Sequence, residues 1–254
     1  MGGTVGATRA DPRAVGRRSV IVVGIDTSTP QTSVAIGTEL EVLASVSIAG
    51  KARQESVTPA LKQILVWSGL DLERVGGIAV GVGPGLFTGL RVGVATAKTL
   101  AQVLGIPIVG ITSLDALAFT VRYSSRRIAA VIDGRRGEVF AAVYRSVPGG
   151  IVRESGYLVL KPDHLVAELQ AVPDDVLCVG NGAILYRREL EELGSRVEFA
   201  SPAVAHPDAA ALVELAAPRF LREEHDRLFD VVPMYIRKSD AEIAWDQRTR
   251  GAQG

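Results

Sequence analysis

Cysteine is nearly missing from this 254-residue chain: Cys178, in the apolar run VLCVG, is the only one. An intramolecular disulfide is therefore excluded, and the composition suits a reducing compartment. Cys178 itself reads as a buried, inert side chain and not as a nucleophile. Net charge is lacking too, because 28 basic and 28 acidic side chains cancel. No overall field then draws the molecule to nucleic acid or to an anionic membrane, and any RNA it meets is expected to be presented by a partner. No run of about 18 apolar residues occurs, so no membrane span is expected. The opening stretch MGGTVGATRADPRAVGRR carries four arginines and no apolar core, so residues 1–18 read as a disordered tail and not as a secretory signal. Histidine is scarce: His164, His206 and His225 are too far apart for the i,i+4 pair of a helical metal site, and each reads as a surface or helix-end residue.

Apolar residues are plentiful, at 47%, and the length fits one large domain or two lobes of roughly a hundred residues each. From Ser19, SVIVVGI, TSVAIG and LEVLASVSI read as three antiparallel strands, with DTSTPQ and TE as the turns between them. SVTPALKQILVWSG places Val57, Leu61, Ile64 and Leu65 at helical spacing, with Thr58 and Pro59 as N-cap and N1 and an end near Gly69. GGIAVGVG is apolar throughout and reads as a parallel strand, and IPIVGI as a fifth. After a helix at SLDALAFTV, RIAAVIDGRRGEVFAAVYR reads as strand, turn and strand. IVRESGYLVL reads as a third strand, DHLVAELQA as a helix, and DVLCVGNGA as a strand running into glycine. The order β-β-β-α-β-α-β at residues 19–111 thus begins again near residue 127. Two similar lobes are expected, divided as 19–115 and 116–254.

GVGPGLFTGLRVGVATAKTLA, from Gly81 to Ala101, packs five glycines into its first thirteen residues and continues as a helix. A glycine-rich turn opening a helix is the usual form of an anion cradle. The Walker pattern fails, because Ala97 stands where the glycine before Lys98-Thr99 belongs. The dinucleotide fingerprint fails as well: Leu86 and Thr88 occupy the positions of its last glycine, and no carboxylate follows about 20 residues later. What remains is a row of small residues, Gly89, Gly93, Ala97 and Ala101, spaced four apart. Such a row permits close approach of another backbone, and the pattern leaves open whether that backbone is the chain's own sheet or a partner. In IDGRRGEVF, the cluster Asp133, Arg135, Arg136 and Glu138 reads as paired charges on a solvated hairpin turn.

The GIDTST strand end, the glycine-rich stretch with IPIVGITSLDALA, AAVIDGRRGEVFAAVY, VGNGA and VPMYIRKSDAE together resemble the bacterial TsaB (YeaZ) family, from Ser19 to about Glu242. The resemblance implies an α/β actin-like fold of the sugar-kinase and ribonuclease H type, with two duplicated lobes. It implies a cytoplasmic, non-catalytic dimerisation subunit that binds the catalytic paralogue TsaD. With TsaD it would recruit the ATPase TsaE and serve threonylcarbamoylation of adenosine in tRNA. A homodimer is also implied as possible, and tRNA is met only through the complex. The dimer surface implied lies on the helix before the glycine-rich turn, at Val57, Leu61, Ile64 and Leu65, and on the helix after it, at Leu86, Phe87, Thr88, Gly89, Arg91, Gly93, Ala97 and Ala101.

Actin-like ATPases carry an Asp-x-Gly turn in their first hairpin. Here DTST keeps Asp26 but has Ser28 in the glycine's place, so the turn reads as vestigial. Asp26 could hold a hydrated cation or bond its own turn's N–H groups. The paralogue's metal-binding histidine pair is absent from KARQESVTPAL, where Arg53 stands, and a guanidinium cannot act as an imidazole-type ligand. No catalytic residue, metal or cofactor is expected. The alternatives are an active kinase or metalloprotease of the same fold, which lacks its sequence marks here, and a stand-alone homodimeric interaction protein.

Overall fold

The computed structural model describes residues 19–49 and 53–237. The expected tail at 1–18, the side chain of Arg53 and the residues after 237 lie outside the description. Strands β1 (Val22–Thr29), β2 (Gln31–Gly37) and β3 (Val42–Ala49) form an antiparallel meander. Helix α1 (Val57–Ser68), strand β4 (Gly77–Gly83), helix α2 (Phe87–Leu104) and strand β5 (Ile108–Thr112) follow. β4 pairs parallel to β1, and β5 parallel to β4, giving the order β3-β2-β1-β4-β5. DTSTPQ is not a turn: Asp26–Thr29 continue β1, and Pro30 alone separates it from β2, with a bulge between Asp26 and Thr29. The β-branched Thr27 and Thr29 favour that extended backbone. α1 starts at Val57, ahead of the expected Thr58 cap and without a side-chain cap, and Gly69 ends it in the left-handed region at φ 67.

Helix α3 (Ser113–Thr120) leads into strands β6 (Arg127–Arg135), β7 (Glu138–Val147), β8 (Gly150–Arg153) and β9 (Leu158–Leu160). Helix α4 (Pro162–Gln170), strand β10 (Val176–Val179), helices α5 (Asn181–Leu185) and α6 (Arg187–Leu190), strand β11 (Val197–Phe199) and helix α7 (Ala209–Leu221) complete the order. IVRESGYLVL is two strands on β7 and not one. Between them the Glu154 carboxylate is held by Arg127 at 2.9 Å and Arg145 at 2.6 Å, while Ser155 Oγ accepts from the Val143 N–H, so the chain leaves the ladder. The second sheet runs β11-β10-β6-β7-β8. Read in reverse, this path repeats the first sheet strand for strand, with β9 added beside β7, which is the duplication expected from the element order.

Five layers stack along the molecule. α1 and α2 cover one face of the first sheet, against Val23, Ile25, Val34 and Ile78. α4, α5 and α6 cover the outer face of the second sheet, around Val131, Val139 and Cys178. The middle layer is exchanged. α3 follows the first sheet in sequence, yet Leu114, Leu117 and Ala118 pack on Ile128, Ala130 and Ile132 of the second. α7 follows the second sheet, yet Leu212, Val213, Ala216 and Phe220 pack on Val22, Ala35 and Ala79 of the first. Ala116 and Phe119 on the other side of α3 meet α7. α7 is absent from the order read off the sequence. The division at 115/116 assigns it to the second lobe and cuts through α3.

Polar bonds fix both exchanged helices. Asp208 caps α7 by accepting from the Ala210 N–H at 2.9 Å and takes the Ser33 hydroxyl at 3.2 Å, so β2 holds the helix start. Thr112 caps α3 through the Asp115 N–H at 3.1 Å. The Asp115 carboxylate accepts from Tyr144 at 2.7 Å and Tyr157 at 3.0 Å.

Candidate functional site

The glycine-rich stretch is seated on β1. Leu86 N–H donates to the Ser28 carbonyl at 2.7 Å. A Cβ on Gly85 would overlap that same carbonyl oxygen, one on Gly89 would overlap Thr27 O, and one on Gly93 would overlap Thr27 Oγ1. Thr27 Oγ1 donates to Gly89 O at 2.7 Å. Ala97 and Ala101 continue the row into the apolar cluster of Val23 and Ile25. The glycines thus hold the end of β1, and their own chain fills the space beside the first turn.

The residues of the interface implied from sequence fall into an inward-facing and an outward-facing group. Gly89, Gly93, Ala97 and Ala101 face the chain's own sheet, and so do Val57, Leu61 and Ile64, all buried, with Leu65 packed against the same cluster. A helix one turn from a sheet needs small side chains just as a helix pair does, so the spacing alone could not choose. Leu86, Phe87, Thr88 and Arg91 do lie at or near the surface. The outward face of α1 exposes Val66 (74%) and Trp67 (61%), and that of α2 exposes Val103 (78%). No outward-facing position of α1 or of the C-terminal half of α2 was among the residues singled out by pattern.

Asp26 is fully buried. Its Oδ1 accepts from the Ser28 N–H at 2.9 Å and the Ser28 hydroxyl at 2.8 Å. Oδ2 has no partner and lies against Gly81, where a Cβ would overlap it. Burial pushes its pKa from 3.8 up to about 6, against the pull of the two Ser28 bonds and with a further push from Asp208. The carboxyl bonds Ser28, two residues further along its own strand. His206 Nδ1 lies 3.0 Å from Thr29 Oγ1, with its pKa lowered by burial, while His164 and His225 are exposed. Burial pushes the Cys178 thiol up to about 12, the range of an inert thiol. Among the described residues no three His, Cys, Asp or Glu side chains gather as a metal site. No described helix is long and apolar enough to cross a membrane.

Between the lobes lies a cavity of about 460 Å³. Its walls are the start of α2, the β6–β7 turn and the segment Met234–Arg237, which reaches it after Met234 N–H bonds Val82 O at 2.7 Å. The charged turn is therefore part of a cleft wall, and Asp133 within it is buried. Asp133 Oδ1 accepts from the Arg135 N–H at 2.8 Å and Oδ2 pairs with its guanidinium at 3.3 Å, while Arg237 pairs with Glu138 at 2.9 Å. Arg135 (φ 64), Arg136 (φ 57) and Gly137 (φ 76) are all left-handed. Asn-Gly is the usual pair for such a two-residue hairpin turn, and a side chain bearing Cβ in that region costs about 1–2 kcal/mol. Across the cleft, the Phe87 and Tyr235 rings lie 5.1 Å apart, and the Arg91 guanidinium stacks 3.9 Å over Phe87 while donating to the Tyr235 hydroxyl at 3.1 Å.

Two sheets of one topology, stacked with helices and parted by a cleft, define an actin-like two-lobed α/β protein in which Gly85 and Leu86 sit against Ser28 at the end of β1. The structure of YeaZ from Pseudomonas aeruginosa matches it with a TM-score of 0.73 and 27% identity, over 85% of this chain and 100% of that one. A family model described as TsaD: tRNA N6-adenosine threonylcarbamoyltransferase matches residues 45–245. The chain is 29% identical to the tRNA threonylcarbamoyladenosine biosynthesis protein TsaB of Escherichia coli over 227 residues, 88% of this chain and 96% of that protein. It is 29% identical to the Bacillus subtilis protein of the same name over 232 residues, 88% and 97% of the two chains. The chain belongs to this family, as a member of its TsaB (YeaZ) branch. Membership carries a role in tRNA threonylcarbamoyladenosine biosynthesis, the process in the relatives' names.

Proposed function

We propose that this chain is the non-catalytic subunit of the threonylcarbamoyl-transfer assembly, and that it works in the cytoplasm. It pairs with TsaD, and the pair recruits the ATPase TsaE. The observation that carries the reading is the combination of a first hairpin packed by its own chain with an apolar outward face on α1 and α2. Gly85 and Leu86 take up the space beside Ser28, and Asp26 is buried and bonded to Ser28, so the residues for phosphate handling in that hairpin are engaged in structure. Trp67, Val66 and Val103 meanwhile stand in solvent on helices whose other sides are fully packed. Tryptophan is among the side chains enriched at the energetic centres of protein interfaces.

Threonylcarbamoyl transfer to tRNA, reconstituted from TsaD, TsaE, ATP and the threonylcarbamoyl adenylate donor with and without this chain, tests the proposal. Transfer is expected to depend on the chain and to stop when Trp67 is replaced by aspartate. Undiminished transfer in its absence, or transfer by this chain without TsaD, would overturn it.

A further inference from the structure

We propose that the free edge of β3 pairs with β3 of a second copy of this chain, antiparallel, so that the two first sheets join into one. Four strands end the two sheet paths, and three of these ends are blunted. β5 is closed by Asp226, which bridges Ile108 and accepts the Gly110 N–H on its carboxylate at 2.7 Å. β8 has four residues and carries Arg153, and β9 on the same side of β7 has three. β11 has three residues and carries Glu198. β3 differs, because VLASVSIA runs for eight residues without a charge, proline or glycine. Its one irregularity against β2 lies at its first end, opposite Ile36 and Gly37. Among the described residues no backbone group bonds its outer side. Such an edge is a template for another strand, since every second N–H and C=O faces outward.

The pattern of the strand itself selects the occupant. Ala44, Val46 and Ile48 pack on the core of the first sheet yet are only partly buried, while Ser45 and Ser47 are exposed on the opposite face. Side chains directly opposite in an antiparallel pair share a face, so a two-fold axis through Val46 sets Val46 against its own copy, Ala44 against Ile48 and Ser45 against Ser47. Small then meets large on the core side, and hydroxyl meets hydroxyl on the other. Charge agrees with the direction: in the sequence Glu41 precedes the strand and Lys51 follows it, so antiparallel copies bring opposite signs together. A parallel partner would set like against like. The pairing uses β3 and not Trp67, so it is tested apart from the TsaD reading.

The test is sedimentation equilibrium of the purified full-length chain, and the parent is expected to dimerise. Ser45→Lys combined with Ser47→Lys sets lysine against lysine at both serine pairs and should weaken the dimer at least about tenfold. Ser45→Glu combined with Ser47→Glu should do the same. Mixed in equal amounts, the two variants should dimerise with each other at least as tightly as the parent, which requires both to be folded and paired in this register. Trp67→Asp should leave the dimer intact. A parent that stays monomeric at its highest soluble concentration, a lysine variant that dimerises like the parent, charge variants that stay apart when mixed, or a dimer lost in Trp67→Asp each overturns the pairing.

Discussion

Replacing Gly89 by alanine separates the two uses of a small-residue row. On an exposed helix that change stabilises by about 1 kcal/mol, because alanine is the better helix former. Here the new methyl group would overlap the Thr27 carbonyl on β1, a strand buried along its whole length. The strand cannot yield, so α2 must move out. Overpacking of this kind costs about 1–3 kcal/mol, and loss of the Thr27–Gly89 hydrogen bond adds about 1. After the helix-propensity gain, a net destabilisation of about 1–3 kcal/mol remains. For a chain of this size that lowers Tm by about 2–10 °C. Thermal melts of Gly89→Ala, with exposed Ala95→Gly as the control, read it directly. Both variants should melt below the parent although their propensity effects have opposite sign. A Gly89→Ala protein that melts at or above the parent temperature would refute the seating of α2 on β1.

Trp67→Asp should leave Tm within a degree or two, since the side chain is exposed, and weaken binding to TsaD more than about tenfold; normal affinity by surface plasmon resonance would remove α1 from the interface. Asp26 gives a pH signature. Its raised pKa means the native state keeps a proton that the unfolded chain has lost, so stability falls as pH rises from about 3.8 to about 6, by about 3 kcal/mol. Denaturant titrations should show that fall in the parent and not in Asp26→Asn, and a difference that grows in the opposite direction would contradict it. Asp115→Ala leaves the buried Tyr144 hydroxyl without its acceptor and should cost about 1–3 kcal/mol by the same titration, an unchanged midpoint counting against the network.

Apart from α7 and the split of β8 from β9, the order of elements as far as β10, and the duplication, were legible in the sequence because hydrophobic period and glycine placement mark both. Gly69, for instance, closes α1 where the pattern ends. Three further things were not legible, each for a physical reason. Asp26–Thr29 reads as a turn by composition, but pairing with β2 overrides local preference. The row from Gly89 to Ala101 specifies closeness without naming the neighbour, and the same ambiguity applies to Val57, Leu61 and Ile64, whose apolar character serves the chain's own core. The cleft joins Phe87, Arg135 and Tyr235, residues 48 and 100 positions apart, and no local pattern reports such a meeting. The left-handed pair at Arg135 and Arg136 did leave a trace: arginines stand directly before Gly137, where a hairpin would favour asparagine.

The exchange of α3 and α7 makes each half of the molecule a debtor to the other. Cut near residue 125, the N-terminal fragment would keep α3 with Leu114, Leu117 and Ala118 uncovered and lose the helix that shields Val22, Ala35 and Ala79. The C-terminal fragment would carry α7 as an orphan and bare the face holding Ile128 and Ile132. Neither fragment should persist alone, yet the two expressed together should recombine, each returning the other's lid. Rotation of one lobe on the other is limited for the same reason, because it would peel α3 from β6 or α7 from β1. Any widening of the cleft then falls to the strap from Met234 to Arg237 and to the arginine turn facing it.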